Sequence, residues 1–220
     1  MDALREGPLH IAARAGDGPE VARLVAAGAV VDAGNYRKYT PLHIAAGMAA
    51  SGVVAVLLAA GADASALTVF NNTPLHEVAS GRVGTAEAAL EIVDSLLGAG
   101  CPIDAVDSGG RTALWYAAAT GTVPWAAGQH AVRLHVLRRL LDRGASPSIA
   151  ARGEQGRPID AARGLHQPDK YRIEWAQGAA LLESATVEQI LQRPWPYGSG
   201  SGTPAGDVGS GTRLGPGPAP

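Results

Sequence analysis

A heptapeptide that returns at a fixed interval limits the folds open to this chain of 220 residues more than any other feature. Gly7-Pro8-Leu9-His10-Ile11-Ala12-Ala13 returns at 40–46 as Thr-Pro-Leu-His-Ile-Ala-Ala and at 73–79 as Thr-Pro-Leu-His-Glu-Val-Ala, so both steps are 33 residues long. A glycine at 28, 61, 100 and 144, followed by Ala or Cys, keeps the same frame. Self-similarity at a period of about 20–50 residues is typical of repeat arrays, in which each unit buries its apolar face against the next.

The chemistry of the repeated positions predicts two helices in each unit. Thr40, Thr73 and Thr112 can accept hydrogen bonds from the first free N–H groups of a helix. The proline after Thr40 and Thr73 falls in the first helical turn, where its missing N–H is not needed. Gly61 and its equivalents stand where a left-handed cap ends the second helix. The segments that follow, such as 65–72, hold polar and turn-forming residues and are predicted to project as turns.

The Thr-Pro-Leu-His-x-Ala-Ala opening, the Gly-Ala after the second helix and the 33-residue step resemble the ankyrin-repeat family. The resemblance covers about Leu4 to Ala151, and Pro158-Ile159-Asp160-Ala161-Ala162 resembles a degenerate fifth opening. It implies an all-α repeat solenoid of about five helix-turn-helix units with hairpin-like turns that project to one side. It also implies a concave protein-binding face, formed by these turns and the first helices.

The repeat frame also predicts the domain organisation. Thr73 to Gly100 spans 27 residues and Thr112 to Gly144 spans 32, where Thr40 to Gly61 spans 21. We interpret the excess as insertions, and we predict that the longer one, which includes Gly128, lies between the two helices of the fourth unit. The predicted segments are an N-terminal capping repeat at 1–39, repeats at 40–72, 73–111 (short insertion) and 112–157 (long insertion), a degenerate capping repeat at 158–193 and a disordered Gly/Pro/Ser-rich tail at 194–220.

Composition argues against several classes of function. The formal net charge of −2 gives no basic footprint for nucleic acid. Cys101 is the only cysteine, which excludes an internal disulfide and suits a reducing compartment, and we predict a buried structural thiol there. Asp2, Arg5 and Glu6 interrupt any secretory signal, so we expect a cytoplasmic or nuclear location. The uncharged stretch 39–62 is broken by Pro and Gly residues and falls into two short helices, which argues against a membrane span.

The titratable residues form no pattern for catalysis or metal binding. His10, His43 and His76 recur with the repeat, but equivalent sites on packed helices lie about 8–10 Å apart, too far to share one metal at about 2 Å per ligand. We therefore assign these histidines a structural role. His130 and His135 fall on different faces of a helix. The sequence thus predicts a protein that is not an enzyme and needs no cofactor; an enzyme subunit that uses the fourth-unit insertion is the least favoured alternative.

The projecting turns give the strongest indication of function, because two of them carry apolar and aromatic residues. We name them finger 1 (residues 32–39), finger 2 (65–72) and finger 3 (107–111). Finger 1 holds Tyr36-Arg37-Lys38-Tyr39, residue types enriched in interface hot spots, and finger 2 exposes apolar residues including Leu67. Packing of these side chains on neighbouring fingers is the alternative. The predicted partner-binding residues are Tyr36, Arg37, Tyr39, Met48, Val69, Phe70, Asn72, Arg111 and Trp125. Of these, Met48 is predicted on the first helix of the second unit, and Arg111 and Trp125 at the edge of the site.

The sequence therefore predicts a protein–protein interaction module or scaffold that binds another protein through its fingers and inner helices. We expect a monomer with a protein partner, and with neither nucleic acid nor membrane as a partner. A self-associating structural scaffold is the alternative, and light scattering separates the two. One fold serves many partners, so the identity of the partner does not follow from the fold.

Overall fold

The computed structural model describes residues 6–80, 84–119, 127–152, 156–162 and 180–185, with only the backbone for 127–131 and 162. These ranges contain helices and turns and no strand, and residues 180–185 are helical. The helices with named bounds are α1 (Pro8–Ala15), α2 (Gly18–Ala26), α3 (Pro41–Gly47), α4 (Ser51–Ala59), α5 (Pro74–Ala79), α6 (Ala86–Gly98), α7 (Ala113–Ala118), α8 (Ala127–Asp142) and α9 (Pro158–Ala162).

These helices pack in two layers. The first helices of the units, α1, α3, α5, α7 and α9, pack side by side in an inner layer, and α2, α4, α6 and α8 pack in an outer layer. Each outer helix also packs on the inner helix that precedes it. Because the contacts join neighbouring units, the array is stabilised by interfaces between one unit and the next.

The apolar core lies between the two layers. The leucine two residues after each capping threonine is fully buried, and so are the large residues on the facing side of the outer helices. Each such side chain contributes about 1.5–3 kcal/mol by its burial. The uncharged stretch 39–62 forms α3 and α4 and belongs to this core. In the part of the chain that the structure describes, no helix is long and apolar enough to span a bilayer.

The recurrent histidines connect neighbouring units by hydrogen bonds. Nδ1 of His43 accepts from the N–H of Thr40 at 3.2 Å and lies 2.9 Å from its hydroxyl, while Nε2 donates to the carbonyl of Asn72 at 3.0 Å. His10 and His76 repeat this arrangement and donate to the carbonyl that ends the next finger. The pattern requires the neutral, Nε2-protonated ring. The structural role predicted for these histidines is confirmed.

The insertions are placed differently from the prediction. α6 has 13 residues and α8 has 16, where α4 has 9, so much of the excess lengthens the outer helices. Gly128, predicted to lie between the helices of the fourth unit, falls within α8. The longer helices keep apolar residues such as Ile92 and Leu140 on their buried side, which favours continuing the helix over forming a loop.

The two C-terminal segments of the prediction are described only in part. α9 and the helical residues 180–185 belong to the predicted capping repeat, and Leu182 is fully buried in the core. The predicted tail at 194–220 and the insertion residues 120–126 lie outside the described residues.

Candidate functional site

One side-chain oxygen closes each finger at its base. Asn35 Oδ1 accepts hydrogen bonds from the N–H groups of Arg37 at 2.9 Å and Tyr39 at 3.0 Å. Thr68 Oγ1 and Asp107 Oδ1 accept from the equivalent N–H groups of fingers 2 and 3 at 2.8–3.3 Å. Asn, Thr and Asp can bond their own backbone in this way, which makes the turn a local property of the sequence. The fingers are therefore fixed in shape.

Backbone hydrogen bonds also fix each finger against the next. The N–H of Val69 donates to the carbonyl of Arg37 at 3.0 Å, and the N–H of Ser108 donates to the carbonyl of Phe70 at 2.8 Å. A third bond of this kind joins the N–H of Arg152 to finger 3. The fingers thus stand side by side in a row, and the side chains at their tips form one surface.

Apolar and aromatic side chains are exposed on fingers 1 and 2. The exposed fraction is 48% for Tyr36, 47% for Val69 and 49% for both Leu67 and Phe70. These side chains are therefore not packed away between neighbouring fingers. Contiguous exposed apolar residues beside polar ones are typical of surfaces that bind other proteins.

A groove of about 440 Å³ lies between finger 1 and the inner helices. Arg37 and Tyr39 line it from finger 1, Ile44 and Met48 from α3 and its C-terminal end, and Glu77 from α5. Met48 was predicted on the helix itself, but it is the residue that caps α3. Of the nine predicted binding residues, Arg37, Tyr39 and Met48 line this groove together.

Two charged groups in the groove are only partly satisfied. The guanidinium of Arg37 lies 5.2 Å from the ring centre of Tyr36 and forms no ion pair with a described residue. Glu77 is buried, and its Oε1 accepts from Asn72 Nδ2 at 3.1 Å. Its Oε2 has no hydrogen-bond donor within the described ranges. Arg14 and Glu6 also line the groove, but they form an ion pair, so their two charges neutralise each other.

Arg111 is engaged elsewhere, although it was predicted at the edge of the site. Its guanidinium forms an ion pair with the buried carboxylate of Asp107 at 2.7 Å and lies 4.9 Å from the ring centre of Tyr116. The Tyr116 hydroxyl donates to the same carboxylate at 2.8 Å. Burial raises the pKa of Asp107, but the bonds and charge of Arg111 outweigh it, so the net pKa lies below its usual value. Burial, together with Asp107, raises the pKa of Tyr116.

This cluster holds finger 3 against α7, and the side chain of Arg111 keeps an exposed fraction of 28%. Its place among the binding residues stays a prediction. Trp125, the other predicted edge residue, lies outside the described residues. Of the predicted residues, Arg37, Tyr39 and Met48 line the groove, and Tyr36, Val69 and Phe70 are exposed on the adjoining fingers. Asn72 is joined to the groove by its hydrogen bond to Glu77.

Glu77 is the residue of the groove that the sequence reasoning missed. Its signal was present, because it stands in the third heptapeptide where the first two carry Ile11 and Ile44. A carboxylate at a position that the repeat otherwise gives to an apolar residue is unfavourable unless something compensates its charge.

Residues 24–78 match the family model of ankyrin repeats in many copies, and residues 70–108 match the model of the ankyrin repeat. These residues form ankyrin repeats. The resemblance drawn from the heptapeptide is confirmed, and with it the all-α ankyrin solenoid. The groove residues from finger 1, α3 and α5 all lie within the first match. No curated protein shows significant sequence similarity to the chain.

Ankyrin repeats are generally modules for protein–protein interaction and are typically not enzymes. The ankyrin array of this chain therefore has a protein as its expected type of partner.

Proposed function

We propose that the ankyrin array binds a partner protein through one surface, the groove together with the tips of fingers 1 and 2. Tyr36 and Phe70 supply the exposed aromatic area, with Val69 beside them, and Arg37 and Tyr39 connect the tips to the groove. The observation that carries the proposal is the exposure of these large side chains on fingers that hydrogen bonds hold rigid.

Rigidity matters because binding then orders few groups. The finger backbones are already fixed by Asn35, Thr68 and the bonds between fingers, so little chain entropy is lost on association. Aromatic residues and arginine are also the types that dominate the energy of protein interfaces. A partner that covers Tyr36 and Phe70 therefore removes apolar surface from water while the fingers keep their shape.

Affinity capture with the wild-type chain and with Tyr36→Ala/Phe70→Ala tests this surface. We expect the double variant to lose partners that the wild type retains, because each buried aromatic at an interface centre contributes about 2 kcal/mol or more. Val30→Ala/Val106→Ala is the matched control, since both residues are exposed and apolar and neither lines the groove. If both double variants recover the partner as well as the wild type does, and melt like the wild type, fingers 1 and 2 are excluded as the site.

We further propose that the isolated chain is a monomer in the cytoplasm or nucleus, where its one thiol stays reduced. Light scattering over a range of concentrations measures its mass directly. A dimer that the Tyr36→Ala/Phe70→Ala change dissociates would show that a second copy occupies this surface instead of another protein.

A further inference from the structure

We propose that the groove selects partner segments of mixed charge, in which an arginine or lysine side chain reaches Glu77 and a nearby carboxylate meets Arg37. This inference rests on the proposed function, since it names the chemistry of the partner that the same surface takes. Three features of the groove carry it: a carboxylate with one hydrogen-bond donor, an apolar passage to this carboxylate, and a cation on the rim that forms no ion pair with a described residue.

Among the described residues, the carboxylate of Glu77 has no partner of opposite charge. It is 7% exposed, and the single donor it has is the neutral amide of Asn72. An ionised carboxylate can accept about four hydrogen bonds, so one neutral donor leaves most of its capacity unused. The amide of Asn72 is itself held on one side only, because its buried Oδ1 has no hydrogen-bond partner in the described structure. A guanidinium or ammonium from outside supplies the missing donors.

The way to Glu77 is open because residue 47 is a glycine. A Cβ at Gly47 would lie 3.6 Å from Cβ of Glu77 and 3.9 Å from its Oε2, so a larger side chain there would cover the carboxylate. Ile44 and Met48 line the groove on the same helix and its end. Apolar walls leading to a carboxylate match the aliphatic stem and charged head of arginine or lysine.

Arg37 gives the opposite charge at the rim. It is exposed on finger 1 beside Lys38, and no described residue offers it a carboxylate. Glu6 is already paired with Arg14, so the charges left for a partner are the anion of Glu77 and the cation of finger 1. A uniformly acidic segment would be repelled by Glu77, and a uniformly basic one by Arg37. A segment that carries both charges satisfies both groups.

Selection from a displayed library of random peptides tests this chemistry on the full chain. We expect peptides selected on the wild type to be enriched in arginine or lysine together with an acidic residue. Affinity of a selected peptide should fall about 10- to 100-fold with Glu77→Gln, which keeps an acceptor for Asn72 and removes the charge. Replacing the basic residue of the peptide by glutamine should produce the same loss, and the two changes together should add little more.

Arg37→Gln should remove the preference for an acidic residue and leave the preference for a basic one. Glu91→Gln is the matched control, because Glu91 is exposed on α6, away from the groove, and the change in net charge is the same. The inference would be overturned if the selected peptides are not enriched in arginine or lysine, or if they bind Glu77→Gln as well as wild type. If these peptides still lose binding with Tyr36→Ala/Phe70→Ala, the proposed surface stands. Selected peptides that none of the finger or groove variants affects would overturn both.

Discussion

Mild acid is expected to destabilise the ankyrin array through His43, before its carboxylates begin to titrate. Burial lowers the pKa of His43 to about 4 in the folded chain, and the charge of His76 acts in the same direction. The carbonyl of Asn72 and the charge of Asp63 raise the pKa, but burial outweighs them. In the unfolded chain the pKa of a histidine is about 6.5.

The size of the effect follows from these two pKa values. At pH values between about 4 and about 6.5, the unfolded chain binds a proton that the folded chain does not. The free energy of unfolding is therefore highest above about pH 7 and decreases as the pH falls toward 4. His43 alone is expected to remove about 1.4 kcal/mol between pH 7.5 and 5.5, and about 3 kcal/mol by pH 4. Burial also lowers the pKa of His76, which adds to the loss.

Urea unfolding followed by circular dichroism at pH 7.5, 6.5 and 5.5 measures this dependence. His43→Gln should be less stable than wild type at pH 7.5, because it loses the bridge to finger 2, but its stability should decrease less between pH 7.5 and 5.5. His135→Gln is the control for replacing a histidine, since His135 is exposed on α8. If His43→Gln and wild type lose the same free energy over this range, the assignment of the titration to His43 is wrong.

Three further predictions concern the supports of the array. Asp107→Ala should lower the free energy of unfolding by about 2–3 kcal/mol in a urea titration, because it leaves the donors of finger 3 without their acceptor, whereas Ser108→Ala should change it by less than about 0.5 kcal/mol. Gly61→Ala should lower the free energy of unfolding by about 1 kcal/mol, because φ is +84° at this residue, although no atom lies within 4 Å of the added Cβ. Gly52→Ala, within α4, should raise the free energy of unfolding slightly, and equal shifts in melting temperature for the two variants would contradict the backbone argument. Burial raises the pKa of the Cys101 thiol, so a thiol-reactive disulfide at neutral pH should modify it only after unfolding in urea, and rapid modification of the native chain would show that the site opens.

The groove has consequences for where this array can vary. Gly47 and Glu77 act as a pair, because the missing side chain of Gly47 leaves the way from the groove to the buried carboxylate of Glu77 open. Gly47→Ala should therefore weaken binding of the basic peptides more than it changes stability, since the helix gains a better helix former. Peptide affinity and melting temperature, measured on the same variant, separate these two effects.

The sequence by itself determined the helices, the fingers and the histidine bridges. Thr40, Pro41 and Gly61 act on backbone groups within a few residues of themselves, and His43 donates to the carbonyl that ends the next finger, 29 residues further on. The repeat frame of the sequence therefore already places their partners. The interval of 33 residues then fixes the stacking, because each unit presents the same apolar positions to the next.

Only the tertiary structure decided which charged residues face the groove. Arg37 lies two residues after the residue that closes finger 1, and Arg111 lies four residues after the one that closes finger 3. Arg111 forms an ion pair with Asp107 and contacts the ring of Tyr116, whereas Arg37 forms no ion pair with a described residue. In the sequence, Glu77 is visible only as an irregular residue of the third heptapeptide. Its access to the groove depends on Gly47 of the preceding unit. The extra length of α6 and α8 over α4 was likewise not evident from the spacing, although their apolar residues pack into the core. These side-chain contacts join residues whose separation along the chain follows no fixed interval. The spacing of residues in the sequence therefore does not reveal which side chains are in contact.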